Sequence, residues 1–145
     1  GEGVFLNGRK IENPTTQKTT GEDPANTPEI LMSNTEVSQG LWQGLWQVME
    51  GDFRLTPKGS VAYKLALLAA GQTQGVISLR PKNLHDVCAG HAMLAAVGGV
   101  LRDLNGTAVP YSMPDHALTG LVAAPTADCA HAFFQRLHQS AAQIR

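Results

Sequence analysis

Asp86 is the residue of this sequence best placed to do chemistry. It lies in Pro81-Lys82-Asn83-Leu84-His85-Asp86-Val87-Cys88-Ala89-Gly90, where a polar turn runs into an Ala-rich helical stretch. A carboxylate at a helix start can satisfy free backbone N–H groups as a cap, or offer its oxygens to a hard cation such as Mg2+. Spacing alone leaves both readings open. Lys82, four residues earlier in the same turn, either faces an anion or is a solvated surface lysine. A second helix start opens at Gly59-Ser60-Val61-Ala62. At both starts the free N–H groups and the helix dipole favour negative charge.

These residues must be positioned by regular elements, and the sequence lays those out in turn. Val4-Phe5-Leu6, Asn7-Gly8 and Arg9-Lys10-Ile11 read as a tight hairpin, because Asn-Gly supplies two positive φ angles. We assign residues 1–14 to this hairpin of an antiparallel sheet, 15–28 to a polar connection and 29–145 to a C-terminal α/β domain. Ile30-Leu31-Met32 reads as a buried strand. Leu41, Trp42, Leu45, Trp46 and Met49 recur at helical spacing and predict one helix within residues 36–49, with Trp42 stacked over Trp46 as core packing. Phe53, Leu55 and Pro57 alternate. Ser60 then caps a helix over Val61–Ala70 that stops at Gly71. Gly75–Leu79 is a strand, Asp86–Val97 a helix, Val100–Leu104 a strand turned by Asn105-Gly106, and Leu118–Ala123 a strand. Thr126 caps a last helix with the stripe Ala130, Phe133, Phe134, Leu137, Ala141 and Ile144. Strands alternating with helices predict an α/β fold, a mostly parallel sheet covered by helices. Such sheets bind ligands at the carboxyl ends of their strands.

Composition sets the bounds. The chain has 145 residues, of which 43% are hydrophobic, enough for one buried core. Eleven Lys and Arg against 12 Asp and Glu leave a formal charge of −1, with no global field to draw in a nucleic acid polymer or an anionic membrane. The longest apolar stretch, Val61–Ala70, is interrupted by Tyr63 and Lys64 and is too short to span a bilayer. Two cysteines, Cys88 and Cys129, build no disulfide framework, which points to a reducing compartment, the cytoplasm.

Four motifs in order give the sequence a family resemblance. Gly59-Ser60-Val61-Ala62 precedes a helix, His85-Asp86-Val87-Cys88-Ala89-Gly90 opens the next, Val97-Gly98-Gly99 precedes a strand, and Asp103-Leu104-Asn105-Gly106 turns it. Together they resemble the C-terminal half of the inositol monophosphatase superfamily, which are Mg2+-dependent phosphomonoesterases with an αβαβα sandwich. Gly3-Val4-Phe5-Leu6-Asn7-Gly8 is similar to the hairpin of that family, and Gly59–Leu68 and Pro81-Lys82-Asn83 are similar to its bacterial bisphosphate-nucleotidase-like branch. The resemblance implies that Asp86 ligates Mg2+, that Gly59 and Ser60 line the substrate site, and that Lys82 helps shape it. It implies a small phosphate ester as substrate. Hydrolysing such an ester requires neutralised phosphoryl oxygens and a hydroxide, which Mg2+ on carboxylates provides.

The departures are as informative. The Trp of the family motif is His85, and an acidic residue that some members use against inositol hydroxyls is Leu79, which disfavours inositol specificity. The Glu-Glu element and the Asp-Pro-Ile/Leu-Asp-Gly-Thr loop that carry the other metal ligands do not occur in the 145 residues. The chain therefore reads as the C-terminal portion of a longer enzyme, inactive by itself. The alternative is a truncated, non-catalytic module that binds a phosphate compound or a partner chain. Its first strands would then show an unpaired edge, or pair with a second copy in a homodimer. A zinc site at His85, Cys88 and His91 lacks a fourth ligand, and Cys88 on an Ala-rich helix reads as core. Asp128, Cys129 and His131 read as helix surface.

Overall fold

The computed structural model describes residues 2–12, 27–113 and 117–143. It opens on an antiparallel hairpin of β1 (Val4–Leu6) and β2 (Arg9–Ile11). Asn7 and Gly8 both adopt positive φ, 50° and 78°, as the Asn-Gly turn requires. Most of the polar connection expected over 15–28 lies outside the described residues, and so does Ile144.

The main sheet has five strands in the order β4-β3-β5-β9-β7. These are β3 (Glu29–Ser33), β4 (Arg54–Lys58), β5 (Gly75–Ser78), β7 (Val100–Arg102) and β9 (Leu121–Ala124). The β3 strand pairs in parallel with β4 and β5, and β9 runs antiparallel between β5 and β7. Four strands thus share one direction, so the expected α/β architecture holds. Pro57 is tolerated because β4 is an edge strand.

Helices cover both faces. On one, α3 (Val61–Ala69) packs against α4 (Leu84–Ala96), burying Leu65, Leu68, Leu84, Val87 and Leu94 over Leu31, Val76 and Ala123. The hairpin residues Val4 and Ile11 rest on this same cluster. On the other face, α2 (Gln43–Met49) packs against α5 (Ala127–Gln143), burying Trp42, Met49, Phe133 and Leu137 over Ile30, Ile77 and Val122. A small ladder of β6 (Lys82–Asn83) and β8 (Ala117–Leu118) joins the lead-in of α4 to the approach of β9.

Several expectations change. The strand expected over Leu118–Ala123 is split at Thr119-Gly120, with Leu118 in β8 and Leu121–Ala124 forming β9 in a different sheet. The single helix within 36–49 is two: α1 (Asn34–Ser38) ends before Gly40, whose φ of 75° is left-handed, and α2 starts at Gln43. Trp42 sits at the cap position of α2, its carbonyl accepting from the Trp46 N–H at 2.8 Å, and both pack in the same apolar cluster, as expected of core packing. The stripe of α5 continues through buried Ser140 rather than Ala141, which is exposed. The Ser140 hydroxyl is satisfied by donating to the Arg136 carbonyl at 2.7 Å.

Candidate active site

Both helix starts singled out in the sequence lie at one end of the sheet. The chain leaves the carboxyl end of β4 at Lys58, passes Gly59-Ser60 and enters α3; it leaves the carboxyl end of β5 at Ser78, crosses Leu79–Asn83 and enters α4. Because β4 and β5 flank β3 in parallel, and α3 and α4 pack together, the two N-termini share an edge and a face.

Ser60 caps α3, accepting from the Tyr63 N–H at 3.3 Å, and does so at a φ of 55°. A non-glycine residue held at positive φ is strained, and strain is retained where the surroundings require that backbone. Gly59 is exposed, and a methyl group there would sit 3.8 Å from Asn34 Nδ2, so its backbone runs beside the start of α1.

Asp86 is not the cap of α4. The helix begins at Leu84, with Asn83 at the cap position, so Asp86 is the third helical residue. Its carboxylate is half exposed, and Oδ1 lies 3.4 Å from His85 Nε2, its one ion-pair partner among the described residues. An exposed pair of this kind holds the carboxylate only weakly. Its oxygens are open to a cation, and its place in the first turn suits negative charge. Among the described residues no group of three or more His, Cys, Asp or Glu could hold a metal ion. Mg2+ needs several oxygen ligands, so Asp86 fits as one member of a larger set.

Lys82 does not stand free. Its Nζ lies 3.6 Å from Oε1 of Glu36, a residue only 1% exposed. Glu36 organises this end of the sheet. Its Oε1 accepts from the Ser78 hydroxyl and from the Arg80 N–H at 3.2 Å, and its Oε2 from Trp42 Nε1 and the Leu79 N–H, both at 3.0 Å. Burial opposes the charged form of Glu36, but the bonds from Leu79, Ser78, Trp42 and Arg80 outweigh it and hold the carboxyl below its usual range. With both oxygens engaged, Glu36 has no lone pair open to a metal. Lys64 sits one turn into α3, buried, donating to the Lys58 carbonyl at 3.0 Å. Burial pushes its ammonium down, Glu36 opposes that, and Lys82 adds to it.

Glu36, Lys64 and Ser78 went unread in the sequence. Ser33-Asn34-Thr35-Glu36 has the spacing of a capping box, in which the glutamate would turn back to the serine. Here Ser33 accepts a long 3.5 Å bond from the Glu36 N–H, while the glutamate side chain turns inward to Ser78. The signal for Lys64 was a charge inside an otherwise apolar helix.

The remaining candidates separate. Cys88 is exposed, not core, and its thiol donates to the His85 carbonyl at 3.4 Å. His91 pairs instead with the Tyr111 hydroxyl at 2.8 Å, beside a cleft of about 360 Å3. A second cleft of about 290 Å3 runs between Arg102 and His138. Neither cleft includes Gly59, Ser60, Lys82 or Asp86. Asp103 closes its turn as the motif requires, accepting from the N–H groups of Asn105 and Thr107 at 2.9 and 3.0 Å. Asp128, Cys129 and His131 lie on the α5 surface, as expected.

The profile of the inositol monophosphatase family matches residues 1–144. The chain belongs to the inositol monophosphatase family. Within this family it is similar to the 3'(2'),5'-bisphosphate nucleotidase CysQ of Escherichia coli K12 and of Shigella flexneri. Each is 33% identical over 88 residues, which is 61% of this chain and 35% of the relative. Its fold matches that of an inositol monophosphatase from Anabaena, with a TM-score of 0.70 at 18% identity over 96% of this chain and 52% of that one. It also matches a Thermotoga maritima IMPase, with a TM-score of 0.70 at 19% identity over 99% of this chain and 50% of that one. A Pyrococcus horikoshii protein with similarities to inositol-1 monophosphatase gives a TM-score of 0.69 at 22% identity over 94% and 49%. The chain thus spans about half the length of these solved relatives.

Proposed function

We propose that the chain is the C-terminal portion of a Mg2+-dependent phosphomonoesterase acting on small phosphate esters. The reading is carried by Asp86: an open carboxylate on the first turn of α4, at the same end of the sheet as the capped start of α3. Asp86 supplies one ligand to a divalent ion whose further ligands lie beyond the described residues. Such an ion neutralises phosphoryl oxygens and provides hydroxide at neutral pH. Gly59 and Ser60 present backbone N–H groups at the α3 start to the substrate, and Lys82 adds a cation beside them. CysQ, named as a 3'(2'),5'-bisphosphate nucleotidase, supports an adenosine-bisphosphate type of ester over an inositol phosphate. Leu79, apolar just after β5, fits the same preference.

Two free cysteines, both exposed, support a reducing cytoplasm. No helix among the described residues is long and apolar enough to cross a membrane. The hairpin β1-β2 forms a sheet of two strands, which is marginal alone and calls for pairing with further strands, from upstream or from a second copy.

The test is phosphate release from a 3',5'-bisphosphonucleotide and from an inositol monophosphate, with Mg2+ titrated, by the intact protein and by residues 1–145 alone. The intact protein turns over in proportion to bound Mg2+ and the isolated chain does not. Robust Mg2+-stimulated release by the isolated chain overturns the assignment of the other ligands. The second reading, a non-catalytic module, draws on the lack of any three-residue metal cluster among the described residues. It predicts binding of a phosphate compound with no turnover by the intact protein.

A further inference from the structure

The four closest donors to Glu36 all belong to its own scaffold: the Ser78 hydroxyl, the Trp42 indole and the N–H groups of Leu79 and Arg80. Lys82 differs. At 3.6 Å its ammonium is held by charge rather than by a close hydrogen bond, so its N–H donors are not spent on the carboxylate. Lys64 is committed, buried and bonded to the Lys58 carbonyl. Lys82 is thus the one ammonium at ion-pair distance from Glu36 among the described residues. It is also the group of the cluster nearest the solvent: its side chain is 19% exposed while Glu36, Lys64, Ser78 and Trp42 are each 2% or less.

The backbone fixes where Lys82 sits. Glu36 grips the N–H groups of Leu79 and Arg80, the first two residues after β5. Lys82 itself is pinned in β6 against Leu118, and the next residue, Asn83, occupies the cap position of α4, three residues before Asp86. The carboxylate thus sets both ends of the turn that delivers Lys82 to the start of α4.

We propose that Glu36 is a positioning residue for anion binding: it holds the Lys82 ammonium and the Leu79–Pro81 turn so that Lys82 donates to a phosphoryl group of the ligand. This rests on the phosphate-ester reading above and adds a residue that reading did not contain. Glu36 acts only through Lys82 and touches no ligand itself, because its own oxygens are filled.

The experiment measures the Kd of the intact protein for inorganic phosphate by calorimetry, and KM and kcat for the ester in parallel. Lys82→Met weakens phosphate binding and raises KM by about tenfold or more, the scale of one charge-assisted hydrogen bond, with kcat within about threefold. Lys82→Arg retains most of the affinity. Glu36→Gln loses as much affinity as Lys82→Met, and the double variant loses no more than Lys82→Met alone, as expected of two residues acting in series. Should Glu36→Gln not fold, Glu36→Asp, one methylene shorter, weakens phosphate binding by about threefold or more, and not at all once Lys82 is Met. Wild-type affinity in Lys82→Met, additive losses in the double variant, or wild-type affinity in Glu36→Asp overturns the proposal. Phosphate binding of the expected pattern with no ester turnover contradicts only the phosphatase reading. Turnover with Lys82→Met at wild-type Kd and KM contradicts this inference and the placing of Lys82 at the substrate site, and leaves the phosphatase reading standing.

Discussion

Trp42 Nε1 donates to Glu36 Oε2 at 3.0 Å, which ties the turn ahead of α2 to the carboxylate that grips the turn leading into α4. The bond also explains why a buried carboxylate is tolerated. An ion taken out of water is costly unless hydrogen bonds replace its hydration, and Glu36 receives them from two side chains and two backbone groups.

That arrangement gives the fold an acid sensitivity with a definite sign. The folded-state pKa of Glu36 lies below its ordinary value of 4.5, despite burial, because of the bonds from Leu79, Ser78, Trp42 and Arg80. A carboxyl depressed on folding binds fewer protons folded than unfolded. Its stabilisation is complete above the unfolded value and disappears as pH falls from there through the lowered one. Urea unfolding from pH 7 down to pH 3 should show a stability gap between wild type and Glu36→Gln that is constant above about pH 5 and narrows below it. A gap independent of pH would place the charge of Glu36 outside the stability of the fold.

The contact between α3 and α4 depends on a missing side chain. A methyl group on Gly90 would lie 2.6 Å from Leu65 Cβ and 2.7 Å from Leu65 Cδ1. The nearer of these is at the root of the side chain, so a rotamer change does not relieve it and the helices must part. Gly90→Ala should cost about 1–3 kcal/mol, the range for overpacking a core. Chemical denaturation reads this, and a stabilised variant would show that the helices have slack.

Ser60 combines a cap with a strained backbone, and two substitutions separate them. Ser60→Ala keeps the φ of 55° and loses the bond to the Tyr63 N–H, for a cost of about 1 kcal/mol. Ser60→Gly loses the same bond but relieves the strain, so it should fall within a few tenths of a kcal/mol of wild type. If Gly is worse than Ala in thermal unfolding, the backbone at Ser60 is not strained.

The fold was legible where local chemistry and tertiary packing agree. Asn7-Gly8, Ser60 with Gly71, and Asp103 to Gly106 each specify a turn or a cap through their own side chains or backbone freedom, and each is found. Thr126 likewise accepts from the Cys129 N–H at 3.2 Å. The reading failed where a distant partner decides. Residues 36–49 have helical spacing, yet the left-handed turn at Gly40 splits them into two helices, and the Trp42 indole is turned to Glu36. Asp86 was singled out by its motif, and the structure sets it two residues further into its helix than expected. Glu36 could not be found, because Ser78, Leu79 and Arg80 lie more than 40 positions along the chain, at separations of 42, 43 and 44 residues.

Asp86 is assigned to a metal ion rather than to the helix, and one variant of the intact protein tests the assignment. Asp86→Asn keeps the shape and polarity of the side chain but removes the charge a hard cation needs. Asp86 does not occupy the cap position, so the helix should hardly respond. Thermal stability and Mg2+-dependent phosphate release are measured on the same preparation. The unfolding temperature should be unchanged, turnover lower by about a hundredfold or more, and the Mg2+ concentration for half-activity higher. Near-wild-type turnover with unchanged Mg2+ dependence would return Asp86 to a purely structural role.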